Sequence, residues 1–148
     1  MSKRIPLAAA ALLTAQAAYV GVWAGLFPRA FYASFPGLNR YWVSPDGPYN
    51  EHLVRDVGGL HLALAAVGVL ALIWRDDRSR ALLGTAWIVF GVLHLGYHLA
   101  HLNSLASAVD RVGELVALGG GVVLALLVLA PIAPTVSAAP MTSTEVAR

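Results

Sequence analysis

Apolar residues run almost unbroken through four stretches of the chain, about 5–27, 52–74, 81–102 and 112–131, and polar residues gather in the connections and at the two ends. Each stretch is about 20 residues long, the length an α-helix needs to cross a hydrocarbon layer about 30 Å thick. The pattern predicts an all-α fold, a four-helix transmembrane bundle over residues 1–131 with a long aromatic-rich loop between helices 1 and 2. Residues 132–148 are small, polar and interrupted by proline, too poor in apolar surface to fold, and are expected to form a disordered tail.

Composition points the same way. Of 148 residues, 58% are hydrophobic and 12% charged, with a mean hydropathy of +0.69, whereas soluble domains carry about 25% charged residues. Lys3, Arg4, an Ala/Leu run and Ala15-Gln16-Ala17 imitate a cleavable secretory signal. The apolar run nevertheless continues through Val20, Val22 and Trp23 to Phe27, past the length of a signal core, so it reads as a first span. Cysteine is absent, which excludes disulfides and thiolate chemistry and leaves His, Asp and Glu as the only ligands for a metal. There is no internal repeat. A net charge of +2 offers no basic patch for phosphates, and no nucleic-acid partner is expected.

Lys and Arg in short loops favour the cytoplasmic side. Lys3, Arg4, Arg75, Arg78, Arg80 and Arg148 fall on one side of the four-span layout, and Arg29, Arg40, Arg55 and Arg111 on the other, which predicts N-in, C-in. The second connection is only Arg75-Asp76-Asp77-Arg78-Ser79-Arg80, a solvated hairpin turn. The first, Pro28 to Asn50, holds Phe31, Tyr32, Phe35, Tyr41, Trp42 and Tyr49 among prolines and glycines. Aromatic rings with polar edges suit the headgroup level, and Pro and Gly prevent a long helix. A short amphipathic turn near 28–35 followed by a structured loop is expected, either capping the outer end or only anchoring the protein.

Polar residues inside the spans are the candidate chemistry, because ionisable groups at membrane depth are costly. His94, His98 and His101 fan over about 60° of the third span, with Tyr97 among them. His52, Arg55, Asp56 and Gly59 lie within about 100° on the second, and Asp110, Glu114, Ala117 and Gly121 form a stripe about 60° wide on the fourth. At 1.5 Å per residue, His52 and His101 fall near the outer surface, Arg55, Asp56, His98 and Glu114 about 5 Å deeper, and His94 about 11 Å deeper. Charges avoid lipid, so these stripes are expected to converge inside the bundle, with glycine and alanine below them letting helices approach closely. His61 lies about 140° from Asp56 and is expected to be a satisfied histidine bonded to nearby backbone or hydroxyl rather than a site residue.

Several chemistries fit this cluster. His94, His98 and His101 could hold a metal, with Asp56 or Glu114 completing an N/O shell, although no defined ligand signature such as H-E-x-x-H occurs. Haem between facing histidines is a weaker fit, because His94 lacks an equal-depth partner on the right face. Alternatively, Asp56, Glu114 and Arg55 form an ion-pair network while the histidines line a wet outer cavity for a small polar molecule or a lipid or quinone headgroup. The plainest alternative is structural: the charges fix helix register and the imidazoles only hydrogen-bond.

The stretches Pro48-Tyr49-Asn50-Glu51-His52-Leu53-Val54-Arg55-Asp56-Val57-Gly58-Gly59 and His94-Leu95-Gly96-Tyr97-His98-Leu99-Ala100-His101, with the four-span layout and long first loop, resemble small uncharacterised bacterial membrane proteins of the DoxX-like kind, over roughly 18–129. That resemblance implies a four-helix bundle in the bacterial inner membrane and, for some members, links to quinone or redox metabolism; it carries over no catalytic residues. The expected function is binding of a small ligand or lipid- or quinone-like headgroup in an outward-facing pocket of His52, Arg55, Asp56, His94, Tyr97, His98, His101 and Glu114. A metal- or haem-dependent enzyme, with Glu114 or Asp56 as general base, is the alternative. A third is an accessory subunit or homo-oligomer packed through Gly119-Gly120-Gly121.

Overall fold

The computed structural model describes residues 4–131, so the expected disordered tail lies outside the described residues. Four helices are long and apolar enough to cross a membrane: α1 (Arg4–Leu26), α3 (Glu51–Trp74), α4 (Asp77–Ala100) and α5 (Ala108–Leu129). A short α2 (Pro28–Ser34) follows α1. A two-stranded hairpin, β1 (Pro36–Gly37) with β2 (Arg40–Tyr41), and a 3-10 turn at Ser44–Asp46 complete the first connection. Leu38 and Asn39 at the hairpin tip both have positive φ, 57° and 59°, the geometry that matches strand twist in a two-residue turn. Asn39 suits that conformation; Leu38 does not.

Two helices begin four residues earlier than hydropathy predicts. The Asp76 side chain accepts from the backbone N–H groups of Arg78 and Ser79, capping α4 and drawing the charged segment from Asp77 into its first turn. Only Arg75 and Asp76 remain between α3 and α4, with Arg75 in the left-handed region at φ 56°. The first turn of α5 likewise takes in Asp110 and Arg111, which an apolar window passes over.

The helices pack in the cyclic order α1, α3, α4, α5, with the α1–α3 pair the most extensive and α1 and α4 on a diagonal. Neighbours run antiparallel, so the α3–α4 turn shares one end with the start of α1 and the end of α5. The connections from α1 to α3 and from α4 to α5 close the other, here called the cap end. Lipid tails provide no hydrophobic drive between helices, so close packing of small residues must hold the pair. A β-carbon on Gly58 would collide with the Gly25 backbone, one on Gly68 with the Thr14 side chain, and one on Gly21 would sit 2.8 Å from the Leu62 nitrogen. Towards the end closed by the α3–α4 turn, Leu13, Leu83, Ala125 and Val128 form a fully buried core. Towards the cap end Val20, Ala24, Phe31 and Val54 form a second cluster, and the space beside it is left open.

Candidate functional site

The inner face of α4 carries a ladder of rings. Trp87 packs edge-on against Phe90 with centroids 5.9 Å apart, Phe90 stacks on His94 at 5.0 Å, and His94 meets His98 at 4.7 Å. Their spacing of three and four residues keeps them on one face. His61, on α3, joins from the side, 5.0 Å from Phe90. At the top of the ladder His98 Nδ1 lies 2.9 Å from Glu114 Oε1 on α5. Both side chains are largely buried, at 11% and 6% exposure, so the pair joins α4 to α5 inside the bundle.

Beside this pair is a cavity of about 260 Å³. Its polar groups are Gln16, Asp46, His61, His94, His98 and Glu114, and the rest of its wall is aliphatic and aromatic, with Phe31, Phe35, Trp42 and Phe90 among the rings. The first connection folds over it. Asp110 Oδ1 accepts from Arg40 Nη1 at 2.8 Å and from Trp42 Nε1 at 2.9 Å, pinning the hairpin to α5. Tyr32 donates to the Gly47 carbonyl at 2.7 Å, and the Ser104 hydroxyl is shared between the His101 carbonyl at 2.8 Å and Asp46 Oδ1 at 3.1 Å, holding the 3-10 turn across the mouth. The loop thus caps the bundle as well as carrying aromatic residues.

Of the residues singled out from the sequence, the structure brings together His94, His98 and Glu114. His52, Arg55 and Asp56 share a face as expected, but that face points outward. His52 lies 3.4 Å from Asp56, both exposed, and Arg55 bonds Glu51 at 2.9 Å and the Gly25 carbonyl at 2.6 Å, capping the end of α1. The physical reason is depth: in the first two turns of a span, charged side chains reach the interface and need not turn inward. Gly59 accordingly faces open space, and the close helix approach belongs to Gly58. Tyr97 and His101 stack on each other at 4.2 Å on an exposed flank, with His101 Nδ1 donating to the Tyr97 carbonyl at 2.8 Å.

The expected metal set is not assembled: among the described residues no three His, Asp or Glu side chains converge to hold an ion. His101 is turned away, and Asp56 is on the outer face. For haem, His61 and His94 do line one cavity, with the Phe90 ring packed 5.0 Å from each. Gly119 and Gly120 face open space, whereas Gly121 approaches Gln16.

His61 is buried and its Nδ1 donates to the Val57 carbonyl at 2.8 Å, so it is satisfied by backbone as expected, yet it also lines the cavity. The signal for it was present: Val54, Gly58, Ala65 and Gly68 share its face, and a small-residue stripe marks the interior of a membrane helix. Gln16, Trp42 and Asp46 gave no such signal, because only the path of the cap brings the last two over the cavity. No protein-family model matches this chain, and neither a curated protein nor a solved structure is significantly similar to it.

Proposed function

We propose that this protein binds a small amphiphilic molecule, of the kind represented by a lipid or quinone headgroup with part of its apolar body, in the cavity at the cap end. The observation that carries this reading is the His98–Glu114 pair, set 2.9 Å apart in the wall of a cavity that is otherwise largely apolar. Ligand sites typically combine apolar walls with a few convergent polar groups that orient the occupant. Here the rings and aliphatic side chains suit the body, and the imidazoles and carboxylates suit the head. The arginine-rich α3–α4 turn supports an orientation with both ends of the chain in the cytoplasm and the cavity facing away from it, in the bacterial inner membrane.

The test is mass spectrometry of small molecules retained by protein extracted directly into lipid nanodiscs. The wild type is expected to retain a molecule absent from empty discs, Glu114→Gln to lose it, and Asp56→Ala, on the outer face, to keep it. A folded Glu114→Gln protein that retained the molecule at the wild-type level, or a wild type carrying nothing above empty discs, would overturn the reading.

A further inference from the structure

We infer that the occupant of this cavity is a lipophilic organic cation, an amine or quaternary ammonium on a hydrophobic body; the inference rests on the cavity being a binding site. It begins with charge. Asp46 and Glu114 both line the cavity, and no Lys or Arg does. Each arginine near the cap end is engaged elsewhere: Arg40 with Asp110, Arg55 with Glu51 and the Gly25 carbonyl, Arg111 with the Leu105 carbonyl, and Arg29 over the Tyr49 ring. Among the described residues no basic side chain lies within ion-pair distance of Asp46, whose carboxylate accepts from the Ser104 hydroxyl at 3.1 Å. An anionic head would meet two carboxylates here and no guanidinium or ammonium.

Hydrogen-bond direction points the same way. The partner of His61 Nδ1 is a carbonyl, which can only accept, so Nδ1 carries the proton and Nε2 of the neutral ring is an acceptor. Where Glu114 is ionised, His98 Nδ1 donates to it, leaving Nε2 of a neutral ring with a lone pair. Asp46, Glu114 and His61 thus offer acceptors to the cavity, beside the mixed donors and acceptors of Gln16 and His94. Four aromatic side chains, Phe31, Phe35, Trp42 and Phe90, also line the cavity, and aromatic rings attract a cation more strongly away from water. Two acidic side chains and four aromatic rings, with no Lys or Arg among them, select a positive charge.

The experiment compares two probes of one shape, benzyltrimethylammonium and its uncharged isostere neopentylbenzene. Their binding to the full chain in phosphatidylcholine nanodiscs is measured by calorimetry against empty discs. The cation is expected to bind at least about tenfold more tightly. Asp46→Asn and Glu114→Gln should each shrink that preference, read as the ratio of the two affinities. Asp46→Asn, at the exposed mouth, carries the test if Glu114→Gln does not fold.

Equal or tighter binding of neopentylbenzene, or a preference untouched by Asp46→Asn, overturns the cation assignment and leaves the cavity as a binding site. If neither probe binds, the charge of the molecule retained on purification decides: a cation upholds the assignment, and a neutral or anionic molecule overturns it. If no molecule is retained either, both the assignment and the binding site fall.

Discussion

His98 and Glu114 meet across the α4–α5 interface with Nδ1 and Oε1 2.9 Å apart, and each is the main polar partner of the other in a buried position. Removing one member strands the other. Glu114→Ala or His98→Ala is expected to destabilise the bundle by about 3 kcal/mol, at the low end for a broken buried pair because the adjoining cavity leaves room for water. The double variant His98→Leu/Glu114→Met removes both polar groups at similar volume and is expected to stay within about 1 kcal/mol of the wild type. Unfolding in mixed micelles measures all three. Additive losses in the double variant would mean that the two side chains act independently.

Gly58 and Gly59 are sequence neighbours with opposite surroundings. A methyl group at Gly58 meets the backbone of α1, which cannot give way as a flexible side chain would; one at Gly59 meets nothing within 4 Å. Gly58→Ala is expected to cost about 1–3 kcal/mol through overpacking. Gly59→Ala is expected to be neutral or stabilising by up to about 1 kcal/mol, since alanine is the better helix former. Thermal melting in detergent separates the two. Equal effects would contradict the assignment of α3 faces.

That assignment marks the limit of what was legible beforehand. The four spans could be read because apolar runs of bilayer length have few other uses, and the short helix after Pro28 because proline sets its start. Periodicity also grouped His52, Arg55, Asp56 and Gly59 correctly, and put His61 on another face. Periodicity carries no sign, however, and the rule that charge turns inward gave the wrong one so close to the end of a span. The stripe of Gly58, His61, Ala65 and Gly68 competes with it and wins, because small residues let α1 approach. Trp42 and Asp46 reach the cavity through tertiary bonds, Trp42 donating to Asp110 and Asp46 accepting from Ser104, which no local pattern encodes.

Asp76 makes stability depend on pH in a defined direction. The backbone N–H of Ser79, followed by further bonds from Ser79 and Arg78, holds its carboxyl below the ordinary carboxylate range in the folded protein. Between the folded value and about 3.9, the value in an unfolded chain, the unfolded state binds more protons. The cap's contribution is therefore complete above that window and is lost as pH falls through it. Asp76→Ala should melt below the wild type at pH 7, and the gap should close as pH drops below about 4. A gap that persisted unchanged into acid would show that charge at Asp76 plays no part in capping α4.

Asp110 ties the cap to the bundle through a single oxygen that accepts from both Arg40 and Trp42. Both bonds are made to a charged oxygen, and water weakens them because the Arg40 side chain is 38% exposed. Asp110→Ala removes both bonds at once and also frees the Trp42 ring, which packs against Phe35 and lines the cavity. The hairpin keeps its own backbone pairing, the Trp42 backbone N–H bond to the Phe35 carbonyl at 2.9 Å and the Tyr19 bond to the Pro36 carbonyl at 3.3 Å. Amide exchange across 36–47 is expected to quicken at least about tenfold, the equivalent of 1.4 kcal/mol, while exchange in the α1–α3 interface is unchanged. Exchange that rose equally in both regions would place Asp110 in the stability of the whole bundle rather than in the closure of its cap.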